Sequence, residues 1–141
     1  MKNYWLLKSE PDSWSWQQQV EKGKKKGEAW SGVRNHFAKK NLMAMKKGDL
    51  AFFYHSNIGK EIVGIIEIVK EYYPDPTAEQ GSPWVVVDVV AVKSFKRPVT
   101  LSEIKQVKSL QDISLLKHTR LSVQSVSKNH WDIICKMSGD Y

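Results

Sequence analysis

Ile62-Val63-Gly64-Ile65-Ile66-Glu67-Ile68-Val69-Lys70-Glu71-Tyr72-Tyr73 is the stretch that decides how this chain folds. Its β-branched and aromatic content reads as one long strand, and Gly64 interrupts it where a bulge or a barrel bend belongs. Pro74-Asp75-Pro76 closes the run. Upstream, Leu50-Ala51-Phe52-Phe53-Tyr54-His55 is apolar enough for a strand covered on both faces, entered through a turn at Lys47-Gly48-Asp49. Downstream, Trp84 to Val92 has strand character again, with Asp88 expected to point out of the sheet or to a rim. Tyr4 to Lys8 and Leu121 to Val126 supply two more strands at the chain's ends.

Helices fall between these strands singly. Ser15 and Gln18 have capping-box spacing, as do Thr100 and Glu103, and Ser127 can cap a last helix that carries Trp131, Ile134 and Cys135. From Arg34 to Met45 the apolar positions Phe37, Ala38, Leu42 and Met45 recur at helical spacing. With no repeating strand-helix-strand rhythm, the reading is α+β, with a curled sheet and one domain over residues 1–141.

The chain has 141 residues, 41% hydrophobic and 26% charged, which suffices for one core without metal or disulfide support. One cysteine, Cys135, excludes an intrachain disulfide and fits a reducing compartment. The apolar run at Tyr4-Trp5-Leu6-Leu7 stops at Lys8, far short of a signal peptide or a membrane span, so a cytoplasmic location without membrane partners is expected. Net charge is +7 and uneven, with 13 Lys and Arg against 7 Asp and Glu in residues 1–70, and 9 against 8 thereafter. A polyanion would account for the excess, as would solubility; the loop Lys22-Gly23-Lys24-Lys25-Lys26 could reach phosphate but would not read a base.

Trp30-Ser31-Gly32-Val33-Arg34-Asn35 sets a stacking surface, a flexible joint, a cation and a bidentate amide side by side. An indole offers its face to any base, and an asparagine amide can donate and accept together at a base edge. The competing reading packs Trp30 in the core and starts a helix at Arg34 and Asn35. Metal and cofactor sites have little support: His36, His55, His118 and His130 lack paired ligand spacing, and neither a phosphate-binding loop nor a dinucleotide glycine pattern occurs. Glu10 and Asp12 are the nearest acid and base candidates, but Pro11 between them favours turn and cap roles. No catalytic residue is assigned.

Tyr4-Trp5-Leu6-Leu7-Lys8-Ser9-Glu10-Pro11, Trp30-Ser31-Gly32-Val33-Arg34-Asn35, Phe53-Tyr54-His55-Ser56-Asn57, Tyr73-Pro74-Asp75-Pro76 and Arg120-Leu121-Ser122-Val123-Gln124, in that order, resemble the EVE domain family. The resemblance runs from about Tyr4 to about Ile134. It implies a PUA-like β-barrel with flanking helices, related to the YTH readers of methylated adenine, and a non-catalytic reader of modified bases in DNA or RNA. Carried onto this chain, it makes Trp30 the stacking residue. Ser9, Asn35 and the backbone beside Gly32 become edge contacts, and Trp84 a possible second aromatic wall. Lys8, Arg34 and Arg120 become phosphate or pocket-wall residues, with His55, Ser56 and Asn57 at the rim. Two departures stand out: the segment Thr77 to Pro83 is short for the family, and Ser125 replaces a usual proline. Two alternatives remain open, an enzyme acting on a modified base with Glu10 or Asp12 as base, and a sensor of a free modified nucleoside. Salt dependence separates polymer from nucleoside binding. The modification, the choice of DNA or RNA, and the oligomeric state are not fixed by these residues.

Overall fold

The structure is a computed structural model that describes residues 2–23 and 27–139. The lysine cluster Lys24-Lys25-Lys26 lies outside the described residues. A six-stranded sheet has the order β2-β5-β4-β3-β1-β6, built from β1 (Tyr4–Ser9), β2 (Glu28–Ala29), β3 (Leu50–His55), β4 (Glu61–Pro74), β5 (Val85–Thr100) and β6 (Val123–Val126). Only β1 and β3 run parallel among these pairs; the others are antiparallel. Among the described residues five α-helices flank the sheet: α1 (Trp16–Lys22), α2 (His36–Ala44), α3 (Leu101–Gln106), α4 (Ser114–Lys117) and α5 (Lys128–Met137). The class is α+β and the sheet is curled but unclosed, with β2 and β6 at its two ends.

Alternation along the central strands produces two cores. Trp5, Leu7, Ala51 and Phe53 face one side, where Ala38, Leu42 and Met45 of the α2 segment cover them. Leu6, Phe52 and Tyr54 face the other side, beneath Ile104, Leu115, Trp131 and Ile134. Both faces of β3 are covered, as its apolar density requires. Phe37, expected in the α2 stripe, instead points to solvent and meets His118 edge-on at 5.9 Å.

Gly64 does bend the sheet. Phe53 pairs with Gly64 while the next residue, Tyr54, pairs with Ile62, so Val63 is the extra residue of a bulge. The missing side chain has a second use, because a β-carbon on Gly64 would lie 2.3 Å from Cζ2 of Trp16. The Trp16 ring occupies that space, packs edge-on to Phe53 at 5.2 Å, and donates from Nε1 to Ser94 Oγ at 2.9 Å. This fixes the first residue of α1, and through it the loop that joins α1 to β1.

All three capping predictions hold. Ser15 with Gln18 and Thr100 with Glu103 form capping boxes, and Ser127 Oγ accepts from His130 N. The third long strand runs further than its sequence suggests, from Val85 to Thr100 through Pro98, and Pro98 sits in a wide irregularity between the pairs Gly64 with Ser94 and Ile62 with Val99.

Candidate functional site

Where β1 ends, the chain turns back on itself. Pro11 cannot extend the ladder, and the Glu10 carbonyl accepts from the amides of Ser13 and Trp14, both at 2.9 Å. Ser9 Oγ donates to the Trp14 carbonyl, which closes the turn. Trp14 is thereby folded over the end of β1, and its indole Nε1 donates to the buried Gln19 Oε1 of α1 at 2.9 Å. Opposite, the short β2 delivers Trp30, whose amide donates to the Val87 carbonyl at 2.8 Å and whose ring stands edge-on to Phe53 at 5.4 Å.

Between these walls lies a cavity of about 390 Å³ lined by Lys8, Ser9, Glu10, Ser13, Trp14, Glu28, Ala29, Trp30, Ser31 and Gly32. That is within the size range of small-ligand clefts. Trp30 is 7% exposed, so it is at once a cavity wall and a core residue. The second tryptophan on the lining is Trp14, which sequence reasoning passed over. Trp84 is elsewhere: it packs at a tilt against His36 at 4.8 Å and lies 5.9 Å from the Arg34 guanidinium.

The segment after Trp30 is held by a carboxylate. Gly32 has φ +86, with open space where a side chain would be, so its requirement is conformational and not one of crowding. Its amide donates to Asp75 Oδ2 at 3.1 Å, and Arg34 Nη1 reaches the same oxygen at 2.9 Å. Thr77 donates to Asp75 Oδ1 from both its amide and its hydroxyl, each at 2.7 Å. Burial would push the Asp75 carboxyl up, but the hydrogen bonds from Thr77, Gly32 and Arg34 outweigh it and hold the group at about 2. The Gly32 amide and the Arg34 guanidinium are thus engaged in holding the loop, while Ser31 and Gly32 line the cavity. The Pro74-Asp75-Pro76 block signalled a turn; its role as an anchor for residues 32–34 needed the fold.

Other expected site residues separate into two groups. Asn35 is the N-cap of α2, its Oδ1 accepting from Ala38 N at 2.9 Å, and with Arg120 it lines a different, open cavity beside Phe37 and His118. Neither lines the cavity between Trp14 and Trp30; for Asn35 the reason is that a side chain committed to capping points along its own helix. Lys8, Ser56 and Asn57 line a further cavity of about 390 Å³, so Lys8 belongs to two. Lys8 Nζ donates to the Thr119 carbonyl at 2.8 Å, and burial lowers its pKa. Asn57 Nδ2 donates to Glu10 Oε1 at 2.8 Å. His55 faces α1, its Nε2 accepting from the Trp16 amide at 3.0 Å. Among the described residues, no group of three or more His, Cys, Asp or Glu could hold a metal ion.

Comparison with known proteins accords with this architecture. Thymocyte nuclear protein 1 of Mus musculus is 36% identical over 97% of this chain and 74% of its own length. The NMR structure of Rpa0253 from Rhodopseudomonas palustris is 57% identical, with a TM-score of 0.91 over 97% of this chain and 93% of that one. The crystal structure of human THYN1 protein in complex with 5-methylcytosine-containing DNA is 33% identical, with a TM-score of 0.88 over 97% of this chain and 98% of that one. A Zygosaccharomyces rouxii YTH domain shares the fold at a TM-score of 0.58 and 18% identity, covering 99% of this chain and 88% of that one. The EVE domain matches residues 3–137 of the 141, and the chain belongs to the EVE domain family.

Proposed function

We propose that this chain is a single-domain, non-catalytic binder of nucleic acid, taking one modified, flipped-out base into the cavity between Trp14 and Trp30. The observation that carries the reading is the joining of two tryptophans and hydrogen-bonding groups in one cleft, in a fold whose human relative is solved with 5-methylcytosine DNA. A base extruded from a duplex costs a few kcal/mol. Stacking on an aromatic ring returns about 1–3 kcal/mol per base, so one tryptophan plus one or two edge contacts offsets the cost.

Glu10 and Glu28 are the carboxylates on the lining. Carboxylate oxygens accept from an exocyclic amine, which cytosine and adenine carry and thymine lacks. Ser9 Oγ, donating to the Trp14 carbonyl, keeps acceptor capacity toward the cavity.

Binding without turnover is favoured by how the acid and base candidates Glu10 and Asp12, and the nearby Ser9 and His55, are engaged. Ser9 Oγ bonds a carbonyl, His55 Nε2 bonds the Trp16 amide, Glu10 Oε1 is held by Asn57, and Asp12 is exposed. A nucleophile needs a base within hydrogen-bond reach, and these contacts pair neither Ser9 nor Glu10 with a histidine.

The test is a binding series with single-stranded and duplex oligonucleotides bearing one 5-methylcytosine or one N6-methyladenine, their unmodified counterparts and the free nucleosides, across a salt range. A preference for one modified oligonucleotide, with affinity falling as salt rises and products unchanged by mass spectrometry, is expected. Equal affinity for modified and unmodified strands, or chemical conversion of the base, overturns the reading.

A further inference from the structure

Two cavities of equal size share Lys8, and they differ in charge. The one between Trp14 and Trp30 has Lys8 beside Glu10 and Glu28, and Lys22 Nζ pairs the Glu28 carboxylate at 3.0 Å, so its charges balance. The other is lined by Lys8, Lys60 and Lys105, with Tyr54 and Thr119 among its further residues and no carboxylate. A phosphate gains nothing from the balanced charges of the first and is attracted by the second, whereas a neutral base that offers an amine suits the first.

The loop between β3 and β4 ties the two cavities together. At one end Ser56 N donates to the Ser9 carbonyl at 2.9 Å, and Asn57 Nδ2 holds Glu10 of the first cavity's wall. At the other, the Lys60 carbonyl accepts from Leu101 N at 2.9 Å, which joins the loop to α3, the helix that carries Lys105. Asn57 and Lys60 have φ of +65 and +48, and left-handed backbone at two residues other than glycine collects at ligand-holding loops.

We infer that the Lys8, Lys60 and Lys105 cavity is a second subsite, which takes the phosphodiester and nucleotide adjoining the base held by Trp14 and Trp30. Lys8 stands at the boundary, where the strand passes from one cavity to the other. The ligand is therefore an oligonucleotide of at least two linked nucleotides, and a free nucleoside fills only half the footprint. This assignment rests on the first cavity receiving the modified base.

Lys60→Ala combined with Lys105→Ala, both exposed positions, tests it in the full chain, with Lys40→Ala combined with Lys47→Ala as a control of equal charge change. The probes are 5-methyl-2′-deoxycytidine and a short single strand carrying one 5-methylcytosine. The Lys60 and Lys105 pair should weaken oligonucleotide binding about tenfold at low salt and flatten the salt slope by about 1.4, at about 0.7 per phosphate contact on a single strand. Nucleoside binding should not change, and the control pair should move the slope less. If the two pairs have equal effects, or the Lys60 and Lys105 pair has none while Trp14→Ala still removes base preference, the second subsite is wrong and the first stands. If the unaltered protein takes neither probe, both assignments fail together.

Discussion

Asp75 Oδ2 holds the amide of Gly32 at 3.1 Å across 43 residues of sequence, and so fixes the backbone that follows Trp30. The same carboxylate collects Arg34 and Thr77, and its side chain is fully buried. Asp75→Asn removes the charge that these donors converge on. A loss of about 2 kcal/mol at neutral pH is expected from a carboxylate held at about 2 against an ordinary 3.8. Because the folded value is the lower one, this stability is complete above pH 3.8 and disappears as pH falls toward 2. Thermal melts of the two proteins from pH 7 downward should therefore converge in acid. A gap that persists unchanged to pH 2 would mean that the ionised form of Asp75 contributes nothing.

Gly64→Ala should destabilise the protein by about 1–3 kcal/mol, the usual cost of forcing extra volume into a packed site. The added carbon would lie 2.3 Å from a rigid indole that Phe53 and Ser94 hold on other sides. If the clash with Trp16 is the cause, the double variant with Trp16→Ala loses less than the sum of the two single changes. Additive losses in urea unfolding would place the glycine's requirement in the strand and not in the ring above it.

His55 links α1 to acid conditions. Burial lowers its pKa, with Glu61 opposing, and its unprotonated Nε2 accepts from the Trp16 amide. A histidine whose folded pKa lies below 6.5 stabilises the fold above that value and ceases to do so as pH falls through the folded one. Hydrogen exchange at the Trp16 amide, corrected for its intrinsic pH dependence, should lose protection as the His55 imidazole protonates in an NMR titration. Protection that stays constant through that titration would show that the bond does not depend on the charge state.

Much of this frame was legible in the residues, and the reasons are local. Ser15, Thr100 and Ser127 mark helix starts because their hydroxyls satisfy amides within three residues, a short-range bond that spacing alone reveals. Gly64 revealed the bend, since a bulge or a barrel bend explains a glycine in so apolar a run, whereas its close neighbour Trp16 did not show in the residues. What the residues did not reveal depends on distant partners. Asn35 looked like a base reader, but the same amide suits an N-cap, and the cap wins because the helix amides are always present. Trp84 was named as a second aromatic wall and Trp14 was passed over, because nothing local in the sequence separates the two indoles. The turn closed by Ser9 and Glu10 brings Trp14 over the end of β1, while Arg34 and His36 take Trp84.

Trp14 and Trp30 should respond differently to truncation, and the difference identifies the ligand-facing wall. Trp30 is buried against Phe53 and belongs to the core, so Trp30→Ala costs about 3–5 kcal/mol and weakens binding together with the fold. Trp14 is half-buried, packed only at the edge of that core, with its indole N–H on Gln19. Trp14→Ala should cost less stability, while removing the preference for a 5-methylcytosine oligonucleotide over its unmodified counterpart. Trp14→Phe keeps a stacking face and loses the bond to Gln19, so it should retain part of that preference. Binding and urea unfolding measured on the three variants decide the matter. If Trp14→Ala keeps full preference at wild-type stability, the base does not stack there, and Trp14 is not the ligand-facing wall.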